Sequence, residues 1–257
     1  MTPCLVVVLF PSPGFATWSI VAVDRNTGQL VIASATCVAR ERFATFPAEG
    51  LMDIQAVVVP GKGIAAAQAG VDRTRANHKL IFEELRKGTA PSEILSRLRE
   101  DPDIESRQFG IVDVEGRTAG RSGAENGQAS LDVQGRVSGT DIVYSIQGNI
   151  LASHDVVHDA VTMFEKTEGN LADRVMAAME AADAAGGDRR CTCDTEPLTE
   201  APCEGKTAHV AYILEVDATT LEGETTLYID VTDENIEDHE NANPVKTLRM
   251  RYDAREP

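Results

Sequence analysis

Lysine is scarce in this sequence. There are six in 257 residues, none between Thr17 and Lys62, and residues 207–245 contain neither Lys nor Arg. Against 24 Lys+Arg stand 41 Asp+Glu, a formal net charge of −17. Polyphosphate binding depends on clustered cations that release counterions, and attachment to anionic lipid needs clusters of the same kind. The shortage excludes nucleic acid as a partner and argues against a peripheral membrane protein. Nor does any run approach the roughly 18 apolar residues of a membrane span, so no membrane partner is expected. Metal-site patterns are also missing: Cys191-Thr192-Cys193 with Cys203 lacks the paired spacing of structural zinc modules.

What is present is the composition of a globular domain, 42% hydrophobic and 25% charged. The length exceeds the roughly 150 residues of an average domain, yet there is no internal repeat and no interdomain linker. Residues 17–257 therefore read as a single domain. The acidity concentrates in residues 207–245, with ten carboxylates; this fits salt tolerance or an ordinary acidic protein and points to no function.

Residues 1–16 read as a leader. Cys4 to Phe10 is apolar, Pro11, Pro13 and Gly14 follow, and Gly14-Phe15-Ala16 fits a secretory cleavage site before Thr17. A secreted or periplasmic location follows from that reading. The cytoplasm is the alternative, because no Lys or Arg precedes the apolar run. Loss of the leader removes Cys4 and leaves an even set, Cys37, Cys191, Cys193 and Cys203. The polar loop at 188–206, with Pro197 and Pro202, suits disulfide formation in an oxidising compartment. Sequence does not choose the pairing.

Periodicity predicts strands at 17–24 and 29–36 joined by Arg25-Asn26-Thr27-Gly28, then at 53–59 and 63–69, 108–114 and 117–121, 142–146, 209–216 and 226–231. Helical spacing predicts helices at 72–87, 92–100, 155–166 and 170–185. Strands in blocks with helices in pairs indicate an α+β fold with helices on the outer faces of a two-layer sheet sandwich.

Several motifs fail when weighed. His154 and His158 lie one helical turn apart as in zinc metalloproteases, but Asp155 replaces the usual Glu and no third ligand is evident. They read as an exposed helix face, and the expectation is no metal and no cofactor. Asp230, Asp233, Asn235 and Asp238 are oxygen donors without the spacing of a calcium loop. Gly120-Arg121-Ser122-Gly123 departs from the nucleophile elbow, and Gly61-Lys62-Gly63 from the phosphate loop. The remaining candidate is positional. If cleavage occurs before Thr17, that residue carries a hydroxyl beside its own α-amine, whose pKa of about 7.7–8.0 suits a general base.

The ordered blocks Thr17-Trp18-Ser19-Ile20-Val21-Ala22-Val23-Asp24, Ala67-Gln68-Ala69-Gly70-Val71, Gln108-Phe109-Gly110-Ile111-Val112, Gly123-Ala124-Glu125-Asn126, Ser145-Ile146-Gln147-Gly148-Asn149-Ile150-Leu151 and Gly186-Gly187-Asp188-Arg189-Arg190 resemble an uncharacterised prokaryotic family, domain of unknown function 1028. Asn243-Pro244-Val245 is similar to the end of its domain. The resemblance implies the fold of the Ntn (N-terminal nucleophile) hydrolases, a four-layer αββα sandwich. It implies Thr17 as nucleophile and Gly70, where β-strand meets helix, as an oxyanion donor. Ser34 stands where that superfamily places an orienting acid. Gln68, Gln147 and Asn149 are expected to line the pocket and offer amides to a substrate. The function expected is amide-bond hydrolysis on a small or peptide-like substrate, compatible with a homo-oligomer. A binding or assembly protein that retains the fold without catalysis is the alternative.

Overall fold

Thr17 opens strand β1 (Thr17–Asp24), which turns into its antiparallel neighbour β2 (Gln29–Thr36). Gly28 closes the turn at φ 76°, donating its N–H to the Asp24 carbonyl at 2.8 Å. Glycine enters that left-handed region without the clash a Cβ would make. The computed structural model describes residues 17–46 and 48–255, so the leader-like segment 1–16, with Cys4, lies outside the described residues.

The remaining strands are β3 (Ala56–Val59), β4 (Gly63–Ala69), β5 (Arg107–Asp113), β6 (Thr118–Ser122), β7 (Leu131–Arg136), β8 (Ile142–Asn149), β9 (Val210–Val216) and β10 (Leu227–Thr232). They form a six-stranded sheet in the order β10-β9-β2-β1-β8-β7 and a four-stranded sheet in the order β3-β4-β5-β6. Every pairing is antiparallel. The helices are α1 (Leu51–Gln55), α2 (Ala76–Lys87), α3 (Pro91–Leu98), α4 (Asp155–Lys166), α5 (Leu171–Ala184) and α6 (Pro244–Asp253). The protein is thus a mixed α and β fold with two antiparallel sheets.

Alternation along β1 splits its side chains between two cores. Trp18, Ile20 and Ala22 join Val156 and Phe164 of α4 and Val175 and Met179 of α5. Val21 and Val23 face the other way, joining Leu30, Ile32 and Val143 of the same sheet and Ile64, Ala66 and Val112 of the smaller sheet. A third cluster sets Ala65, Phe109 and Ile111 of the smaller sheet against Ile81 and Leu85 of α2 and Ile94 and Leu98 of α3. Each large side chain so buried contributes about 1.5–3 kcal/mol.

Four expectations need correction. Residues 53–55 are helix rather than strand, because Leu51, Ile54 and Gln55 bury at helical spacing before β3 begins. Helix α2 starts at Ala76, not 72. The Asp72 carboxylate accepts from the backbone N–H of Thr74 and Asn77, and Arg75 is left-handed at φ 58°, so this stretch is a turn. Strand β8 runs on to Asn149 rather than ending at 146, so Gln147 and Asn149 are ladder residues. Strand β7 and helix α6 were not expected. The first is a polar edge strand, LDVQGR, with no buried residue, and the second starts where Asn243 caps the Val245 N–H with Pro244 in its first turn.

Candidate functional site

At one end of the space between the sheets the alternation continues but the residues change from apolar to polar. Beyond Val21 on β1 come Ser19 and Thr17; beyond Ile32 on β2 come Ser34 and Thr36; beyond Val143 on β8 come Ser145, Gln147 and Asn149. Strand register aligns them, with Thr17 between Thr36 and Asn149 and Ser19 between Ser34 and Gln147. Gln68 of β4 and Gln108 of β5 face them from the smaller sheet. All of these side chains are buried. Gly110 permits the approach, since a Cβ there would stand 2.6 Å from both Gln147 Oε1 and Ser145 Oγ.

Gln68 is the hub. Its Oε1 accepts from Ser19 Oγ at 2.7 Å and from Gln55 Nε2 at 2.5 Å. Its Nε2 donates to the Thr17 carbonyl at 3.1 Å and to Gln108 Oε1 at 2.7 Å. The amide of Gln108 continues the chain to Ser122 Oγ and to the Gly148 carbonyl, and Tyr212 donates its hydroxyl to Gln55 at 3.0 Å. Such a network carries a backbone restraint from the smaller sheet to the first residue of β1. Buried amides of this kind are costly unless paired, and these pair with one another. Gln147 departs from this: among the described residues its Oε1 is buried without a hydrogen-bond partner, and its Nε2 reaches the Ala66 carbonyl at 3.5 Å.

Thr17 is 2% exposed, and its hydroxyl donates to Thr36 Oγ1 at 3.2 Å. Two expected roles change. The Gly70 N–H is bonded to the Ser106 carbonyl at 2.7 Å, and its own carbonyl accepts from Arg107. It also lies in the turn before α2, not at a helix N-terminus, so its N–H is not an oxyanion donor in this conformation. Ser34 donates its hydroxyl to the Trp18 carbonyl at 2.6 Å, one row inward from Thr17. It fixes the strand pair and cannot carry the charge of an orienting acid. The structure does bring Thr17, Gln68, Gln147 and Asn149 together in one polar layer.

A cleft of about 10 Å³ is lined by Thr17, Phe43, Leu51, Gln55, Gln68 and Val71. A second of about 10 Å³ shares Ala67, Gln68 and Val71 with it and adds Asp72, Asn77, His78 and Arg107. Each has room for about one water. Burial, with Arg75 beside it, depresses the pKa of His78 to about 4, against weaker opposite pulls from Asp72 and Asp53. The imidazole is therefore neutral at physiological pH. Arg107 is committed to Asp101 at 2.9 Å and Asp103 at 3.2 Å.

Sequence reasoning missed Ser19, Thr36, Gln55, His78 and Gln108. A signal existed for most of them: in each central strand the residues that face the other sheet turn polar toward the same end.

The four cysteines, whose pairing the sequence left open, form two bridges: Cys193–Cys203 lies within the 188–206 loop, and Cys37–Cys191 ties that loop to the end of β2. His154, at the N-cap of α4, and His158 within it are exposed. Asn235 caps its own turn by accepting from the Thr232 N–H and also accepts from Arg251, while Asp233 accepts from the distant Arg40 N–H, so these oxygens are engaged within the fold. Among the described residues no helix is long and apolar enough to cross a membrane.

The model of a family of unknown function (DUF1028) matches residues 17–196. Among solved structures, the crystal structure of protein SPO2555 from Silicibacter pomeroyi, described with the same family, aligns over 93% of this chain and 85% of its own. The TM-score is 0.66 at 22% identity, a likeness of fold. No curated protein matches.

Proposed function

The chain belongs to the DUF1028 family, and from its own residues we propose that it is an N-terminal-nucleophile hydrolase of amide bonds, built on an Ntn-hydrolase-like four-layer αββα sandwich. The observation that carries this reading is the position of Thr17. It begins an inner strand of the larger sheet, at the polar end of the layer between the sheets and on the wall of a cleft. A single domain from residue 17 onward, exported and matured by removal of residues 1–16, completes the proposal.

Cleavage before Thr17 gives that residue a free α-amine. Thr17 Oγ1 attacks the substrate carbonyl while the amine takes its proton. Thr36 Oγ1, 3.2 Å away, orients the hydroxyl, and Gln68 restrains the Thr17 carbonyl. With the Gly70 N–H occupied, the side-chain amide of Asn149, beside Thr17 in the ladder, is the donor for the developing oxyanion, a role worth about 2.7–4 kcal/mol, and Gln147 supports it from the next row inward. The protonated amine then gives its proton to the leaving nitrogen, and water hydrolyses the acyl-threonine ester. The substrate proposed is a small or peptide-like molecule.

One observation favours a catalytically silent binding protein instead. The buried amides around Gln68 satisfy one another, which explains them as a device of fold specificity without chemistry. The discriminating experiment uses chain beginning at Thr17 and a β-lactone, which acylates an activated hydroxyl. One acyl adduct by intact mass, absent in Thr17→Ala, supports the hydrolase; no adduct with folded protein leaves the binding reading.

A further inference from the structure

Beyond that reading, a second group of side chains converges behind Thr36. Cys37, Cys191 and His209 come from the end of β2, the 188–206 loop and the residue before β9. Their ligand atoms lie within 4.8 Å of one another. The two sulfurs form the disulfide, which by itself gives no reason for an imidazole beside it. Yet His209 is 2% exposed, and its Nδ1 is buried with no hydrogen-bond partner among the described residues. A buried lone pair left unpaired costs free energy, so it needs another explanation.

We propose that Cys37, Cys191 and His209 form a redox-gated zinc site, closed by the disulfide and opened by its reduction. A dithiol reductant supplies two electrons and two protons, is itself oxidised to a disulfide, and leaves two thiols. Zn²⁺ then displaces both thiol protons, binding two thiolates and the His209 imidazole. Water takes the fourth position, the ligand count of open zinc sites. His209 meets the backbone of Glu196, a contact of the kind that fixes the tautomer of a ligating imidazole. Two thiolates balance the dication, so the neighbouring Arg190 and Lys206 face a neutral site.

The backbone holds these residues without the S–S bond. The Cys37 N–H donates to Asp188 Oδ2 at 3.1 Å, and the Cys191 N–H to the Asp188 carbonyl at 3.2 Å. The His209 N–H donates to the Thr36 carbonyl at 2.8 Å. Asp188 is itself fully buried and paired with Arg190. The ligands therefore stay placed when the disulfide opens.

The test uses the chain from Thr17 carrying Cys193→Ser and Cys203→Ser, so that no other thiols compete. After reduction with a phosphine it should bind one equivalent of zinc, and cobalt(II) should give a thiolate charge-transfer band. Oxidised protein should bind none. His209→Ala should weaken zinc about tenfold or more, and Cys37→Ser or Cys191→Ser should abolish the cobalt band. Because the ligands come from three segments, zinc should also raise the melting temperature of the reduced protein. Absence of stoichiometric binding, affinity unchanged by His209→Ala, or a reduced chain that is unfolded and stays so with zinc would each overturn the proposal.

Discussion

The hydroxyls of Thr17 and Thr36 lie 3.2 Å apart across the first hairpin, and the next residue after Thr36 is a disulfide cysteine. The nucleophile proposed here is thus tied through one residue to the covalent link that joins β2 to the 188–206 loop. On its other side Thr17 pairs with Asn149, and its carbonyl is held by Gln68. Three strands and one bridge fix a single residue.

Thr17→Ala in chain beginning at residue 17 should abolish amide hydrolysis and lactone acylation, while Thr17→Ser keeps part of both. The alanine variant also loses the hydrogen bond to Thr36 Oγ1, so stability should fall by about 1 kcal/mol. Urea unfolding and intact mass read the two effects separately. Turnover that survives in the alanine variant would exclude Thr17 as nucleophile.

Gln68→Leu has similar bulk but removes both acceptor and donor from Ser19, Gln55, Gln108 and the Thr17 carbonyl. Several buried groups lose partners at once, for a cost of roughly 3 kcal/mol. By contrast, Asp141→Ala breaks only the exposed pair with Arg25 and should cost under about 1 kcal/mol. A urea midpoint for Gln68→Leu equal to wild type would show that the network contributes nothing.

The two disulfides should differ in weight. Cys37–Cys191 spans 154 residues and Cys193–Cys203 spans 10. Loop-closure entropy then gives about 5 and about 3 kcal/mol respectively. Denaturation of the paired Cys→Ala variants measures this, and non-reducing peptide mapping should recover both pairs from exported material. Equal losses from the two double variants would contradict the ordering.

Acid should destabilise the fold first through its buried imidazoles. His78 and His209 sit at about 4 against an ordinary 6.5, chiefly from burial. A base whose folded pKa is depressed is protonated preferentially in the unfolded chain. Its contribution is complete above pH 6.5 and is lost as pH falls toward 4, by up to roughly 3 kcal/mol per group. Asp183, Asp230, Asp233 and Glu215, raised by burial, oppose this by taking protons in the folded state. The measurement is therefore a difference. Between pH 6.5 and 4.5, His78→Gln should lose stability less steeply than wild type, by about 1.4 kcal/mol per pH unit. Parallel curves would mean that His78 is not buried neutral.

Much of the fold was readable because period is a local property. β1, β2, β4 and α4 carry alternation or helical spacing strong enough to set their limits to the residue. Reading failed where the deciding contact came from elsewhere. The 53–55 segment looks like strand until its burial against both sheets is known, and β7 offers only the half-buried Leu131 and Val133 to betray it. In the candidate site, Thr17, Gln68, Gln147 and Asn149 were named in advance from position and resemblance. Ser19, Gln108 and His78 were not, because each is an ordinary polar residue until a partner from another strand or a closed cleft surrounds it.

By itself the sequence determined the period of β1, β2, β4 and α4, a formal charge of −17, and a hydroxyl at the head of the first strand. Only the tertiary structure decided that Gly70 has no N–H to offer, that Gln68 is a hub, and that Cys37, Cys191 and His209 meet. The reason is physical. Periodicity and charge are sums over neighbours in the chain, whereas a hydrogen-bond partner or a shared ligand set depends on sheet order and register. In a fold with two antiparallel sheets those join residues as far apart as 37 and 191.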